Sequence, residues 1–128
     1  MRYLLDSNVI VALLKGNPTV IRVARPRAGD LATSSVVLHE LYFGAYKGNS
    51  RRAFNDLETL NLDVLAFTEE DARRAGEVRA YLQARGTPIG PYDVLIAGQA
   101  LARDLTLITR NTREFERIEG LRVENWEA

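Results

Sequence analysis

Apolar and polar positions change period along the chain, and each change marks an element. Residues 2–6 read as a short buried strand, and Asn8 to Leu14 as a helix starting straight after it. Gly16-Asn17-Pro18 is a turn, with Pro18 suited to the first turn of a helix over 18–25. A second strand is expected at 30–33. Ser34 or Ser35 then caps a helix running to about Lys47, which Gly48-Asn49 ends. A helix from Ser50 to Leu60 leads into a strand at 62–66. Thr68 with Asp71 has capping-box spacing for a helix over 69–85 that stops at Gly86. After a loop at 86–90, Pro91 opens a helix to about Arg103. Leu105 to Thr109 is the next strand, followed by a short helix around 112–118 and a last strand near 121–124.

Strands that alternate with helices predict a three-layer α/β fold with a mostly parallel central sheet flanked by helices. No repeat, low-complexity stretch or linker interrupts the pattern, so one domain is expected over residues 1–128. In such folds ligands gather outside the carboxyl ends of the strands, where the strand order reverses.

Four polar residues break the apolar pattern where a core would be expected. Asp6 closes the run Tyr3-Leu4-Leu5, and Glu40 shares a helix face with Val37, Leu41 and Gly44. Asp93 shares a face with Ile96, Ala97 and Ala100, and Asn111 follows the strand-like run Leu107-Ile108-Thr109. An ionised carboxylate turned toward a core is costly unless a cation or hydrogen bonds compensate it. Three carboxylates and an amide near strand ends therefore point to a site for a hard divalent metal. Each residue also has a plainer use: Asp6 as a helix cap, Asp93 as an acid in a first helical turn, Asn111 as a cap or turn residue. Glu40, in mid-helix, has none.

Bulk properties narrow the function classes. At 46% hydrophobic and 27% charged, the chain falls among ordinary globular proteins and far from disordered ones. No apolar run is long enough to span a bilayer, and the chain reaches Asp6 too early for a signal peptide. The absence of cysteine excludes disulfides, thiolate nucleophiles and Cys-type metal sites, and fits a cytoplasmic setting. The 17 basic residues balance 17 acidic ones, so nucleic-acid binding would need a local patch. Three groups qualify: Arg22, Arg25 and Arg27; Lys47, Arg51 and Arg52; Arg110, Arg113 and Arg117. Preference for Arg suits bidentate phosphate contacts, and equally fits a compositional habit of the genome.

Other features carry less. His39 is the only histidine, and neighbours on a helix point about 100° apart, so its adjacency to Glu40 does not make it a ligand. Gly86 to Gly90 lacks the spacing of a phosphate-binding loop. Tyr42, Phe43 and Tyr46 read first as core residues rather than RNA-stacking groups, and otherwise as a dimer or partner surface.

Four segments carry a family resemblance. Leu4-Leu5-Asp6-Ser7-Asn8-Val9-Ile10 and Leu38-His39-Glu40-Leu41-Tyr42-Phe43-Gly44 resemble the first two motifs of PIN-domain nucleases. Gly86-Thr87-Pro88-Ile89-Gly90-Pro91-Tyr92-Asp93, continuing to Gly98, resembles the third, and Thr109-Arg110-Asn111-Thr112-Arg113-Glu114-Phe115 the fourth. The likeness spans essentially the whole chain and is nearest to VapC toxins of toxin–antitoxin pairs. The stretch 86–126 is similar to the branch that cleaves initiator tRNA. Two positions depart from the family pattern: Ser7 stands where Thr is usual, and Asn111 where Asp is frequent.

The resemblance implies a Mg²⁺-dependent endoribonuclease, with Mn²⁺ as a substitute, that leaves a 5′-phosphate and a 3′-hydroxyl. It implies a tRNA substrate, an antitoxin of the VapB type and a homodimer. Asp6 and Asp93 are the expected primary metal ligands, and Glu40 a water-mediated ligand or general base. Asn111 adds no charge and is expected to orient water; Ser7, Asn8 and Thr109 are supporting groups. Competing readings are a PIN-fold protein that binds without cutting and a DNA nuclease. A signalling receiver domain wants an acidic pair after the first strand and a lysine after the last, and the chain offers neither.

Overall fold

Leu4 and Leu5 point to opposite faces of their strand, as successive residues must, and both are fully buried. A strand buried on both faces needs cover on each side, the condition of a parallel sheet between helices. The computed structural model, which describes residues 1–128, has that arrangement. Strands β1 (Tyr3–Leu5), β2 (Leu31–Ser34), β3 (Asp63–Leu65), β4 (Thr106–Ile108) and β5 (Val123–Glu124) form one sheet. The order is β3-β2-β1-β4-β5, and every pairing is parallel. The helices are α1 (Ser7–Leu14), α2 (Pro18–Ala24), α3 (Ser35–Lys47), α4 (Arg51–Glu58), α5 (Glu69–Ala84), α6 (Pro91–Ala102) and α7 (Thr112–Phe115).

The caps follow the sequence. Ser34, not Ser35, caps α3, its hydroxyl accepting the Val36 N–H at 3.0 Å. Ser50 does the same for Ala53 at the start of α4, and Thr68 and Asp71 close a reciprocal capping box on α5.

Three expectations need correction. The helix expected over 18–25 ends at Ala24 and passes into a 3-10 turn over Arg25–Asp30. Pro26 has no N–H to continue the α-helical ladder, and the backbone tightens. The helix expected over 112–118 is one turn, α7; beyond it Ile118 N–H bonds back to Phe115 O, and Gly120 sits at φ +84°, which ends the coil. Phe43 and Tyr46 are not core residues: they are 60% and 70% exposed.

Helices α5 and α6 make the most intimate helix contact. A Cβ on Gly98 would lie 2.5 Å from the Ala75 backbone, so only glycine permits the approach. Beside it, buried Asp71 accepts hydrogen bonds from Gln99 Nε2 and Arg103 Nη2, both at 3.1 Å. Arg103 Nη2 also donates to Ala66 O, so the cluster ties α5, α6 and the end of β3 together.

The chain winds from β1 outward through β2 and β3, then restarts on the other side with β4 and β5. The order therefore reverses between β1 and β4. Leu5 is in register with Ile108, which places Asp6 and Thr109 side by side just beyond the carboxyl ends of both strands.

Candidate active site

Asp6 is the N-cap of α1 and is 3% exposed. One carboxylate oxygen accepts the Ser7 N–H at 2.8 Å. The other accepts the Thr109 hydroxyl at 2.8 Å and lies 3.5 Å from Asn8 Nδ2. Burial pushes its carboxyl above the usual range, against the opposing pull of these two short bonds. Capping and site membership are thus the same fact, since the cap residue of a helix that follows β1 must sit at the strand end.

Asn8 and Thr109 hold the two strand ends together. Asn8 Oδ1 accepts the Arg110 N–H at 3.0 Å, and its amide is 3.4 Å from Thr109 Oγ1. Thr109 Oγ1 in turn accepts the Asn111 N–H at 3.1 Å. Ser7 contributes its backbone N–H to Asp6 and lines the groove beside it.

Glu40, in the second turn of α3, faces the same space. Burial raises its pKa, as does the charge of Asp6, while His39 pulls the other way. Asp93 lies in the first turn of α6, half-buried. Burial first, then the charges of Asp6, Glu114 and Glu40 and a hydrogen-bonding contact with Glu114, push its pKa up to about 6. Gly90 leaves room for that carboxylate: a Cβ there would press to 3.2 Å of Asp93 Oδ2.

Asp6, Glu40 and Asp93, from β1–α1, α3 and α6, are thus brought within reach of one another's charge. Asn111 is exposed, makes no side-chain cap bond on α7, and enters the network through its N–H alone. The carboxylate that faces Asp93 from this segment is Glu114, which the sequence reading passed over. Its signal was present: it lies three residues after Asn111, one helical turn on, inside the same motif. His39 is exposed, with its ring 5.2 Å from that of Tyr92.

No three of these side chains close into a ready ligand cage as they stand. The donor set is nonetheless suited to a hard cation. It offers only oxygen ligands, and three carboxyls are held above their ordinary pKa, Asp6 by burial and Glu40 and Asp93 by burial and the charges of neighbouring acids, a repulsion that a cation between them would relieve.

A groove of about 920 Å³ between α1, α3 and α4 runs into this acidic end, where Ser7, Asn8 and Glu40 line it. Lys15, Arg52 and Arg110 border it. Arg22, Arg25 and Arg27, on α2 and the 3-10 turn that leads into the start of β2, lie toward the opposite end of the sheet.

This fold and acid cluster define a PIN domain: a sequence model of that family, described as "PIN domain", matches residues 3–121. The chain is 38% identical to the tRNA(fMet)-specific endonuclease VapC of Shigella flexneri, over 98% of each chain. Its fold superposes on VapBC2 from Rickettsia felis, solved bound to a DNA fragment from their promoter, with TM-score 0.92, 33% identity and 98% and 99% of the two chains covered. DNA-bound VapBC from Salmonella typhimurium gives TM-score 0.87 at 36% identity over 98% of both. The chain belongs to the VapC ribonucleases of the PIN-domain family, whose nucleases generally use divalent metal ions. No helix is long and apolar enough to cross a membrane.

Proposed function

We propose that this protein is the toxin of a toxin–antitoxin pair, a Mg²⁺-dependent endoribonuclease that cuts tRNA, with initiator tRNA as its target. It acts in the cytoplasm, as a homodimer, and is held inactive by a VapB-type antitoxin. The observation that carries the reading is the convergence of Asp6, Glu40 and Asp93 from three elements at the switch point of the sheet. Names of the relatives support an RNA substrate and an antitoxin. Residues 1–128 are read as one domain that carries these acids.

Asp6 and Asp93 are the residues to hold the ion, with Mn²⁺ an acceptable substitute. When bound, Mg²⁺ polarises the phosphoryl oxygen and acidifies a water. The Ser7 N–H and the Thr109 hydroxyl each bond one oxygen of Asp6 and so fix the orientation of its carboxylate. Glu40, whose raised pKa makes it a better proton acceptor than an exposed Glu, takes the proton from the attacking water. Attack in line on phosphorus breaks the bond to the 3′-oxygen, which takes a proton from solvent, leaving a 3′-hydroxyl and a 5′-phosphate. Glu114 supplies the acid of the fourth motif, where Asn111 brings no charge, and Asn111, expected to orient water, orients the β4–α7 turn instead.

The test is cleavage by antitoxin-free protein of initiator tRNA beside elongator tRNAs and single-stranded DNA, with Mg²⁺ or Mn²⁺ and an EDTA control. A single metal-dependent cut in initiator tRNA, lost in Asp6→Ala and Asp93→Asn, is the expected result. Cutting of other RNAs would keep the nuclease and remove the initiator assignment. Cutting of DNA alone, or no cutting at all, would overturn the reading.

A further inference from the structure

An acidic cluster that must receive a polyanion has an electrostatic difficulty. Asp6, Glu40, Asp93 and Glu114 repel the phosphates on either side of the scissile one, and an ion among the acids neutralises only part of that field. A cation at the rim is required. Among Lys15, Arg52 and Arg110, which border the groove, Arg110 is the one whose backbone is bonded into the site, through its N–H on Asn8 Oδ1.

The Arg110 guanidinium is 64% exposed and has one ionic neighbour, Glu127, with Nη1 to Oε1 at 4.0 Å. Glu127 is 19% exposed, and its second oxygen, Oε2, is buried without a hydrogen-bond partner. Its backbone is anchored by the residues before it. Trp126 is buried with its ring edge-on to Tyr3 at 5.3 Å, and the Glu127 N–H bonds to Asn125 Oδ1 at 2.9 Å. A buried carboxylate oxygen with no donor leaves Glu127 dependent on the one cation nearby. The pair is long and partly solvated, so it is a weak one. An arginine fork engages a phosphate more strongly, through two parallel charge-assisted bonds.

We propose that Arg110 binds a substrate phosphate next to the scissile one, and that Glu127 is a positioning residue that holds Arg110 off that phosphate until RNA arrives. The inference rests on the ribonuclease reading above. It makes Arg110 an RNA contact and Glu127 a brake on RNA affinity, with RNA displacing the carboxylate from the guanidinium.

The experiment measures binding of labelled initiator tRNA, and of a short single-stranded RNA, to the full chain in an Asp93→Asn background, across a salt series. Arg110→Gln is expected to weaken binding about fivefold or more and to flatten the salt dependence by about 0.7 in log–log slope, one phosphate contact. Arg110→Lys keeps the slope. Glu127→Gln is expected to tighten binding about two- to fivefold, and that gain vanishes in the double variant with Arg110→Gln. Binding unchanged in Arg110→Gln, or a Glu127→Gln gain that persists without Arg110, overturns the proposal while the nuclease reading stands on the cleavage of the unsubstituted protein. Failure of the parent to bind either RNA overturns both.

Discussion

The Thr109 hydroxyl donates to Asp6 Oδ2 at 2.8 Å, bridging the ends of two strands that lie 103 residues apart in sequence. Both partners are buried. The bond does two things: it keeps one Asp6 oxygen in a fixed direction, and it opposes the rise that burial imposes on the Asp6 pKa. Removing a group that orients a metal ligand typically lowers metal affinity or activity about 10–100-fold. Thr109→Val, which preserves shape, should therefore lower cleavage by about that factor, while Thr109→Ser stays near the parent. Single-turnover rates on tRNA with Mg²⁺ titrated would decide; a Val variant as fast as the parent would remove Thr109 from the site.

Asp93 gives a pH prediction with a definite sign. Its carboxyl ordinarily titrates near 3.8 and here stands at about 6. A raised carboxyl pKa means the folded state prefers the protonated form, so this stabilisation is complete below the unfolded value and is lost as pH rises through about 6. Asp6 and Glu40, also raised, act in the same direction. Metal-free protein should thus melt at lower temperature at pH 8 than at pH 5.5, and Asp93→Asn should flatten that slope. Mg²⁺ should restore the melting temperature at pH 8 far more than at pH 5, because binding requires the ionised acids. Calorimetry with EDTA and with Mg²⁺ measures both effects. Equal melting temperatures at the two pH values, with and without the Asn substitution, would show that Asp93 is not held up.

The candidate site was legible in the sequence where chemistry contradicts local pattern. Asp6 ends a buried strand and Glu40 interrupts an apolar helix face, and both meet in space. Glu114 is harder to read because an acid on a short, half-exposed turn breaks no apolar pattern; its place one turn after Asn111 hints at it, and its position opposite Asp93 distinguishes it. The caps at Ser34, Ser50 and Thr68 could be read because a cap is a matter of neighbouring residues. The Asp71, Gln99 and Arg103 cluster could not, because it depends on the register of α5 against α6, which no local spacing encodes. Phe43 and Tyr46 misled for the complementary reason: aromatic composition signals core only when another element covers that face.

Glu114 and Asn111 make opposite predictions. Glu114 shares the field that raises Asp93, whereas Asn111 touches the network through its backbone. Glu114→Gln should lower the Asp93 pKa by removing a like charge, and should cut activity at limiting Mg²⁺ by about tenfold or more if it helps to place the ion or its waters. Asn111→Ala keeps the N–H bond to Thr109 and should lose less than about threefold, well short of the tenfold effect expected of a ligand-orienting group. Metal-dependent cleavage rates, with the carboxyl titration of Asp93 followed by NMR, test both variants. A large loss in Asn111→Ala beside a mild one in Glu114→Gln would return the fourth place to Asn111.

Gly98 and Arg103 test what holds α6, and hence Asp93, in place. A methyl at residue 98 would lie 2.5 Å from Ala75 N and Cα, and backbone cannot rotate away as a side chain would. Gly98→Ala gains helix propensity, about 1 kcal/mol, but forces α5 and α6 apart, an overpacking that typically costs about 1–3 kcal/mol. The balance should be destabilising. Arg103→Ala strips the cation from buried Asp71, whose carboxyl burial pushes up and whose bonds to Arg103 and Thr68, with the Arg103 charge, hold below the usual range. Breaking one side of such a pair costs about 3–5 kcal/mol where the pair is fully buried, and less here because Arg103 is 31% exposed. The cost is present at neutral pH and shrinks as acid protonates Asp71. Urea melts at pH 7 and pH 4 would show Gly98→Ala weakened at both, and Arg103→Ala recovering part of its loss at the lower pH. An Arg103→Ala loss that does not change with pH would mean that packing, rather than the charge on Asp71, is what Arg103 supplies.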